Sequence, residues 1–424
     1  MAFSKWREVK LEDIGEIVGG GTPSTKQEAY YGGDISWITP KDLANYTDRY
    51  IYKGDRMITE EGLAGSSAKL LPRNTVLFSS RAPIGYIAIA GKEVCTNQGF
   101  KSIIPKPGIS DSMFLYYLLM YRKKDIESVA SGTTFMEVSG SVLKKFTVLI
   151  PDIIEQKAIA AALSCLDDKI ELNNRINKNL EEIAQAIFKC WFVDFEPFQD
   201  GEFEDSELGM IPKGWNVGTI SELLSDTLSG DWGKDEPQGN YIEEVLCIRG
   251  ADIPEIALGK KGKPPTRYIL KKNLETKRLS EGQIIIEISG GSPTQSTGRT
   301  ALITQGLTSI IDRPIICTNF CRALSMKKVH YSTYVYSLLQ YLYKRDILFS
   351  FENGTTGIKN LDTSNLFSSY AIVIPTDQEM LNYKKVFDTI INAIYQNGAE
   401  AEKLVTIRDT LLPKLMSGEI RVPY

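Results

Sequence analysis

The chain has 424 residues, of which 42% are apolar and 24% are charged, and its formal net charge is −4. This composition is typical of a soluble globular protein with enough apolar material for two cores. Because no apolar run approaches the roughly 20 residues that span a bilayer, and the first residues do not resemble a signal peptide, we expect a cytoplasmic protein without membrane contact.

Residues 1–150 are predicted to form a β-rich domain. Short β-type runs separated by Gly and Pro occur at 34–38, 74–78 and 85–90. One amphipathic helix, from about Asp111 to Ser128, interrupts them.

Residues 151–194 are predicted to form one long helix. There is no Pro or Gly between Asp152 and Val193, and Asp152 followed by Glu155 is a helix start signal. Mainly apolar residues recur every seven positions along two lines of this helix, which predicts a seam for packing against another helix. These lines are Ile159, Leu166, Asn173, Leu180 and Ile187, and Leu163, Ile170, Asn177, Ala184 and Trp191.

Residues 195–212 are predicted to be an acidic, solvated linker. The stretch 194–207 contains seven acidic residues and no basic one. Such a segment should avoid a polyanion.

The second half repeats this order. Residues 213–374 are predicted to form a second β-rich domain with a helix near Tyr331 to Ser350, and residues 375–424 a second long helix, from about 377 to 416, and a C-terminal tail. Gly398 should weaken this helix by about 1 kcal/mol and make its middle irregular. Its heptad lines are Tyr383, Ile390, Asn397, Leu404 and Leu411, and Phe387, Ile394, Ala401, Arg408 and Leu415.

Several motifs recur in the same order in both halves. They include Cys95-Thr96-Asn97 and Cys317-Thr318-Asn319, and Ile150-Pro151 and Ile374-Pro375. The predicted fold class is therefore α+β, with two β-rich domains in tandem repeat, separated by two long helices that form an antiparallel coiled coil. Polar seam residues should fix its register. The alternative, that each helix lies on its own preceding domain, stays open.

The sequence offers no obvious catalytic site. Asp152, Glu155 and Lys157 resemble the text of metal-dependent nucleases, but they open a helix, where the two carboxylates have capping roles. Glycine-rich stretches lack the Gly-Lys-Ser/Thr continuation of a phosphate-binding loop. His330, the single histidine, is predicted to be structural, and the six cysteines to be small buried hydrophobes without disulfides or zinc.

Four further motifs carry a family resemblance. They are Ile150-Pro151 with Glu155-Gln156-Lys157, the stretch from Trp191 to Pro197, Leu208-Gly209 with Gly214-Trp215, and the ending from Leu411 to Ile420. With these motifs the chain resembles the specificity (S) subunit of type I restriction-modification systems over essentially its whole length.

The resemblance implies a non-catalytic subunit that binds double-stranded DNA. Residues 1–150 and 213–374 would be target-recognition domains, each recognising one part of a split sequence. The helices would recruit two methyltransferase subunits and set the unread spacer, and restriction/translocase subunits would join that core. S-adenosylmethionine, ATP and Mg²⁺ are expected on these partners, and no cofactor or metal is expected on this chain.

DNA contacts are predicted at polar and basic side chains on glycine-rich loops, where the backbone can approach the duplex. The basic run from Gly259 to Arg278 is a candidate phosphate track, although the acidic net charge indicates that partner subunits share the phosphate contacts. Two alternatives remain: a coiled-coil scaffold without base readout, and a self-contained methyltransferase or nuclease. The candidate residues are Thr22, Ser24, Lys26, Arg81, Thr133, Thr134, Gln295, Ser296, Arg299, Thr300, Thr355, Thr356 and Lys359.

Overall fold

The chain divides into two compact units in a computed structural model that describes residues 5–44, 46–81, 83–132, 136–292, 294–354 and 359–423. Unit 1 comprises Met1–Glu171 with Lys403–Tyr424, and unit 2 comprises Leu172–Glu402. In this described part of the chain, no helix combines the length and the apolar content that crossing a membrane requires.

Unit 1 contains a larger and a smaller sheet. The strands of the larger sheet follow the order Gly15–Gly19, Lys101–Pro105, Val76–Ser80, Ile84–Ala90 and Tyr50–Ile51. In the smaller sheet, Tyr31–Ile38 lies between Arg56–Ile58 and Cys95–Thr96, and Arg7–Lys10 pairs separately with Thr147–Ile150. The shorter helices are Leu11–Ile14, Glu60–Ala64, Ser112–Ser128 and Gly140–Lys145, with 3-10 turns at Glu28–Tyr30 and Pro40–Leu43.

The core of unit 1 forms around the helix Ser112–Ser128. Asp111 caps this helix, because its carboxylate accepts hydrogen bonds of 3.0 Å from the N–H groups of Met113 and Phe114. Phe114 and Tyr117 are fully buried in one cluster with residues of the larger sheet, such as Phe78. The helix therefore covers one face of that sheet.

Unit 2 contains the same kinds of elements. One sheet has the order Leu224–Ser229, Cys321–Met326, Ile284–Glu287 and Thr300–Leu302, and another has the order Thr266–Leu270, Tyr241–Ile248 and Ile315–Cys317. Smaller pairings join Ser289–Gly290, Lys359–Leu361 and Glu352–Asn353, and also Asn216–Gly218 and Ile372–Ile374. The shorter helices are Ile220–Leu223, Ile253–Ala257, Lys271–Lys277, Gln305–Ile310, Val329–Lys344 and Thr363–Ser369, with 3-10 turns at Gly250–Asp252 and Ile347–Phe351.

The internal repeat is visible in the strand pairing, but its register corrects the sequence alignment by one residue. The N–H of Asn97 donates to the carbonyl of Ile38 at 2.9 Å, whereas the N–H of Thr318, not Asn319, donates to the carbonyl of Ile248 at 3.0 Å. Asn97 therefore corresponds to Thr318. An alignment of the two Cys-Thr-Asn sequences is therefore shifted by one residue from the alignment that the backbone hydrogen bonds define.

The predicted long helices are Ile153–Phe192 and Asp377–Met416. In unit 1, Glu155 is fully buried and accepts hydrogen bonds of 2.5 and 2.6 Å from Arg421. Farther along the first helix, Asp167 accepts a hydrogen bond of 2.7 Å from Arg408 and another of 2.5 Å from the hydroxyl of Tyr117. Since later residues of one helix meet earlier residues of the other, the helices pair antiparallel in this unit.

A joint of asparagine side chains links the same helices in unit 2. The amide of Asn177 donates to the carbonyl oxygens of Ile394 and Leu258, at 2.8 and 2.9 Å, and accepts 2.9 Å from Asn397. Asn173 donates to the Asn397 carbonyl at 3.3 Å. Polar seam residues thus bind specific backbone atoms, which fixes the register. The α+β fold class with an antiparallel helix pair is confirmed.

The expectation that Gly398 disturbs the second long helix is wrong. The helix runs without interruption from Asp377 to Met416. A Cβ at Gly398 would lie 2.2 Å from the carbonyl oxygen of Gly259. The missing side chain therefore lets a loop of the β-rich domain pack directly on the helix, and this packing offsets the low helix propensity of glycine.

The other seam residues are buried or half-buried within the unit that contains them. Ile170 is 7% exposed and Ile394 is 3% exposed. The apolar stripe is therefore covered along both helices, in part by the core of each unit, since Ile159 and Leu163 belong to a core cluster of unit 1 and Tyr383 and Phe387 to one of unit 2. The half-buried positions are Leu166, Leu180, Ile187, Ile390, Asn397, Leu404 and Leu411.

The segment 195–212 is not a simple solvated linker. Phe203–Ser206 and Gly209–Pro212 form an antiparallel hairpin, and Ile211 is 2% exposed. Phe198 packs edge-on against Trp215 at 4.8 Å between ring centroids. The apolar residues between the acidic ones anchor the segment. The number of acidic residues alone does not indicate this packing.

Sparse residue types take mainly structural places. His330 lies 3.2 Å from the carboxylate of Asp377, the first residue of the second long helix. Cys95, Cys247, Cys317 and Cys321 are buried, and burial raises the pKa of Cys95 to about 11 and of Cys317 to about 12. Cys165 is exposed and Cys190 partly exposed, so the expectation of buried cysteines is wrong for these two.

Replacing Asp167 by Ala should destabilise the helix pair of unit 1 by about 3–5 kcal/mol, since Arg408 would lose a buried partner. Hydrogen exchange of peptides from 153–171 and 403–416 measures the effect. Asp409→Ala is the matched control, because Asp409 binds the same arginine but is 56% exposed, and it should change exchange little. Equal exchange in both variants would contradict a stabilising role for the buried pair.

Candidate nucleic-acid interface

The first predicted loop of unit 1 is fastened by its backbone and exposes its polar side chains. Trp37 donates to the carbonyl of Gly21 at 2.9 Å, and the hydroxyl of Tyr31 donates to the carbonyl of Pro23 at 2.7 Å. The side chains of Thr22, Ser24 and Lys26 are exposed. The loop thus presents hydroxyl and ammonium groups from a fixed backbone, as a DNA-contacting loop requires.

A close approach that glycine permits joins this loop to a second segment. The N–H of Gly21 donates to the carbonyl of Thr96 at 2.9 Å, and a Cβ at Gly20 would lie 2.0 Å from the carbonyl oxygen of Asn97. The hydroxyl of Thr22 is hydrogen-bonded to Gln98. We call the exposed rim formed by residues 20–26, 81 and 97–99 the loop edge of unit 1.

Arg81 lies on this edge, directly after the strand Val76–Ser80. The N–H of Ser80 donates to the carbonyl of Gly99 at 2.7 Å, which brings the end of the strand beside the loop. The Arg81 guanidinium is 3.7 Å from the Glu137 carboxylate, and both side chains are about one-third exposed. An ion pair of this kind is easily exchanged for another acceptor. Thr133, Thr134, Thr355 and Thr356 lie outside the described residues.

In unit 2 the predicted residue Arg299 is held in an internal ion pair. Its Nε and Nη2 atoms donate to the two carboxylate oxygens of Glu287 at 2.8 and 2.5 Å. The Glu287 side chain is 4% exposed and that of Arg299 23% exposed. The hydrogen bonds that Arg299 donates to the Glu287 carboxylate raise the pKa of Arg299. Since the guanidinium fork is occupied, this geometry favours a bracing role over a base contact.

The remaining described candidates of unit 2 are partly committed to internal contacts. Ser296 and Thr300 are buried, and Thr300 accepts a hydrogen bond of 3.0 Å from Gln340. Lys359 pairs with Glu352 at 2.8 Å and lies 4.7 Å from the ring centroid of Phe349. Gln295 is exposed and donates to the hydroxyl of Tyr343 at 3.1 Å. Of this group, Gln295 is the best placed for an outside partner.

The basic run from 259 to 278 divides in the structure. Arg267 is buried and pairs with Asp235, and Lys277 donates to the carbonyl of Gly230 at 2.9 Å. These residues brace unit 2. The members that remain exposed, and can serve as a phosphate track, are Lys261, Lys263, Lys271, Lys272 and Arg278.

The loop edge of unit 2 carries residues that the sequence analysis missed. The N–H of Asp231 donates to the carbonyl of Cys317 at 2.9 Å, which matches the bond from Gly21 to Thr96 and aligns Trp232 with Thr22. We define the loop edge of unit 2 as residues 230–233, 289 and 318–320. Trp232 and Phe320 on it are 40% and 58% exposed. The search for polar residues passed over them, although the shared glycine before each loop could have aligned them.

No group of three or more His, Cys, Asp or Glu side chains within the described ranges is placed to hold a metal ion. At the start of the first long helix, Asp152 accepts a hydrogen bond of 2.9 Å from the N–H of Glu155. This is the capping role expected from the sequence. This cap and the pairing of Glu155 with Arg421 give the two carboxylates of the nuclease-like motif structural roles.

Comparison with known proteins gives consistent results. A family model described as Type I restriction modification DNA specificity domain matches residues 4–182. The type I restriction enzyme MjaIX specificity subunit of Methanocaldococcus jannaschii is 38% identical over 436 residues, which cover 98% of this chain and 94% of the relative. The type I restriction enzyme HindI specificity subunit of Haemophilus influenzae is 25% identical over 470 residues, covering 99% and 100%.

Among solved structures, the S subunit of a type I restriction-modification system from M. genitalium matches with a TM-score of 0.54. The match covers 97% of this chain and 96% of that chain, at 18% sequence identity. At this identity the likeness supports the fold.

Replacing Arg299 by Ala should destabilise unit 2 by about 3–5 kcal/mol, because Glu287 would stay buried without its partner. Hydrogen exchange of peptides containing the strands Ile284–Glu287 and Thr300–Leu302 measures this loss. Arg313→Ala, which removes an exposed ion pair in the same unit, should leave exchange in these strands unchanged. If Arg299→Ala instead kept normal protection and lost recognition of one DNA half-sequence, Arg299 would be a base contact.

Proposed function

Because the chain belongs to the family of type I restriction-modification specificity subunits, we propose that it selects the DNA sequence on which a type I restriction-modification complex acts. Each unit would recognise one part of a split double-stranded target. The chain itself would supply sequence choice and no chemistry.

The observation that carries this proposal is the repeated loop edge with different side chains in each unit. Equivalent backbone hydrogen bonds hold both edges, while Thr22 in unit 1 has Trp232 as its counterpart in unit 2. Direct readout of base pairs depends on the side chains that reach the groove. One repeated frame with different side chains is therefore suited to recognising two different half-sequences.

The long helices would recruit the partners and set the unread spacer. The first long helix carries an exposed apolar stripe in unit 2, outside the seam, formed by Leu172, Ile176 and Ile183, which are 44%, 36% and 48% exposed. At about 100° per residue, these three positions fall within about 40° of one another around the helix. An aligned apolar stripe of this kind marks a protein contact, and we assign it to a methyltransferase subunit.

The resulting assembly would contain two methyltransferase subunits and restriction/translocase subunits. S-adenosylmethionine, ATP and Mg²⁺ would bind to those partners. An assembly that forms without sequence preference would instead indicate a scaffold, and methylation by the isolated chain would indicate an enzyme.

Replacing Arg81 by Ala should reduce discrimination at one half-sequence by about 1–3 kcal/mol, the contribution of a bidentate base contact. The assay is competition between target and single-substituted duplexes for the complex reconstituted with methyltransferase subunits. Arg73→Ala is the control, since Arg73 is exposed near the opposite end of the same strand, Val76–Ser80. Equal weakening on all sequences would make Arg81 a phosphate contact.

The double variant Ile176→Asp, Ile183→Asp should prevent assembly with the methyltransferase subunit, because charges would replace the apolar stripe. Sedimentation velocity of the mixed subunits measures assembly, and circular dichroism checks that the helices remain. Ile242→Asp changes an apolar residue of unit 2 that is 63% exposed on a strand, and it should assemble normally. Assembly of the double variant at normal affinity would exclude the stripe as the docking surface.

A further inference from the structure

Residues of the loop edge of unit 2 line one part of a solvent-open cavity of about 400 Å³. This volume lies in the range of pockets that bind small molecules. The lining is mainly apolar, with a few polar groups at the rim and floor. It includes Trp232, Arg249, Gly250, Glu287, Asn319 and Phe320.

Trp232 is held in a partly exposed position by buried groups. The guanidinium of Arg267, whose side chain is 5% exposed, lies 4.1 Å from the centroid of the indole ring and donates 2.8 Å to the Trp232 carbonyl. The exposed area of the ring therefore faces away from Arg267. Leaving a large aromatic surface in water is unfavourable, so a ring fixed in this way is prepared for a ligand.

Phe320 is fixed by its backbone. Its N–H donates to the hydroxyl oxygen of Thr318 at 3.2 Å, and its carbonyl accepts 2.8 Å from the N–H of Ile288. The ring itself is 58% exposed. Unit 2 thus presents another aromatic surface on the same cavity.

The equivalent place in unit 1 is built differently. Gly99 corresponds to Phe320, because the N–H of Ser80 donates to its carbonyl as that of Ile288 does to Phe320. A Cβ at Gly99 would lie 3.1 Å from the ring of Pro40, whose counterpart in unit 2 is Gly250. Unit 1 therefore has glycine where unit 2 has Phe320, and it has Pro40 where unit 2 has glycine. The aromatic cavity is a property of unit 2.

The polar groups of the cavity suit an uncharged ring close to an anionic chain. The carboxylate of Glu287 is neutralised by Arg299. At the rim, the guanidinium of Arg249 donates hydrogen bonds to the buried carboxylate of Asp252 at 3.0 and 3.1 Å and to the carbonyl of Lys263 at 2.9 Å. The side chain of Lys263 itself is exposed and supplies the available positive charge. Exposed Asn319 carries both a donor and an acceptor, which can pair with the edge of a base.

We propose that this cavity binds a DNA base that has left the base stack, with Trp232 and Phe320 as the stacking surfaces. Bases in such pockets are bound by stacking on aromatic side chains and by hydrogen bonds to their pairing edge. The exposed ammonium group of Lys263 would hold a neighbouring phosphate. This inference rests on the proposed function, since it names a contact that unit 2 makes within its half-sequence.

The first test is a mismatch scan of the target duplex with the reconstituted complex. A mismatch lowers the energy needed to extrude a base, so one mismatch within the half-sequence of unit 2 should raise affinity by at least about tenfold. A methyltransferase subunit also extrudes the base that it modifies, so only a gain in affinity that Trp232→Ala abolishes supports the cavity. A scan without any position of increased affinity would overturn the proposal.

The second test removes the stacking surfaces. Trp232→Ala and Phe320→Ala should each weaken target binding by about 5- to 150-fold and abolish the gain from the mismatch. Trp232→Phe should restore most of both, because it keeps an aromatic face. The control is Ile242→Ala, at an exposed apolar position of unit 2 outside the cavity, and it should behave as the unsubstituted chain does.

These outcomes separate the inference from the proposed function. If the unsubstituted complex does not prefer its target over a scrambled duplex, the proposed function fails. If it prefers its target but the alanine variants bind and discriminate normally, the function stands and the base-binding cavity is wrong. If the alanine variants bind the target more weakly but no mismatch raises the affinity of the unsubstituted complex, the aromatic residues contact stacked bases. That result would also overturn the proposal.

Discussion

The antiparallel pairing of the long helices is the constraint on which both units depend. A helix with a continuous apolar seam is not stable alone in water, since most helix stability in proteins comes from tertiary packing. Apolar packing alone would allow the helices to slide by a heptad. The buried pairs Asp167–Arg408 and Asn177–Asn397 remove this freedom within their own units, because any other register would leave charges or amides buried without partners.

The proposed recognition surfaces lie on a backbone frame that tolerates different side chains at its exposed edge. Gly20 and Gly230 each lie against a neighbouring carbonyl group. A Cβ atom at either position would be only 2.0 Å from the carbonyl oxygen, so a side chain is excluded in both units. The close approach allows the next residue of each loop to donate its backbone N–H to a carbonyl of the neighbouring segment, so the side chains at the exposed edge are not needed to hold the loop. Neighbouring side chains are then free to differ, as Thr22 and Trp232 do, without loss of the fold. Such a division between fixed backbone and variable side chain allows one architecture to serve different DNA sequences.

The sequence predicted those features that depend on long periodic patterns. Heptad spacing over some 40 residues placed the first helix from about 152 to 193, and the structure has Ile153–Phe192. Features that depend on single contacts were not predictable. Repeated letters aligned Asn97 with Asn319, whereas the hydrogen bonds align it with Thr318. Arg299 has suitable chemistry for DNA, but no local pattern indicates that Glu287, twelve residues away, would occupy it.

The charge distribution explains why recognition must be concentrated in small surfaces. Nonspecific affinity for DNA comes mainly from neutralised phosphates, yet the net charge is −4, and basic residues such as Arg267 and Lys277 are bound internally. The isolated chain should therefore bind DNA weakly at any sequence. In the proposed assembly, partner subunits would supply the phosphate contacts. A weak nonspecific background would then be useful, because the difference between target and nontarget would depend on the proposed contacts at the loop edges, where the repeated frame allows the side chains to vary.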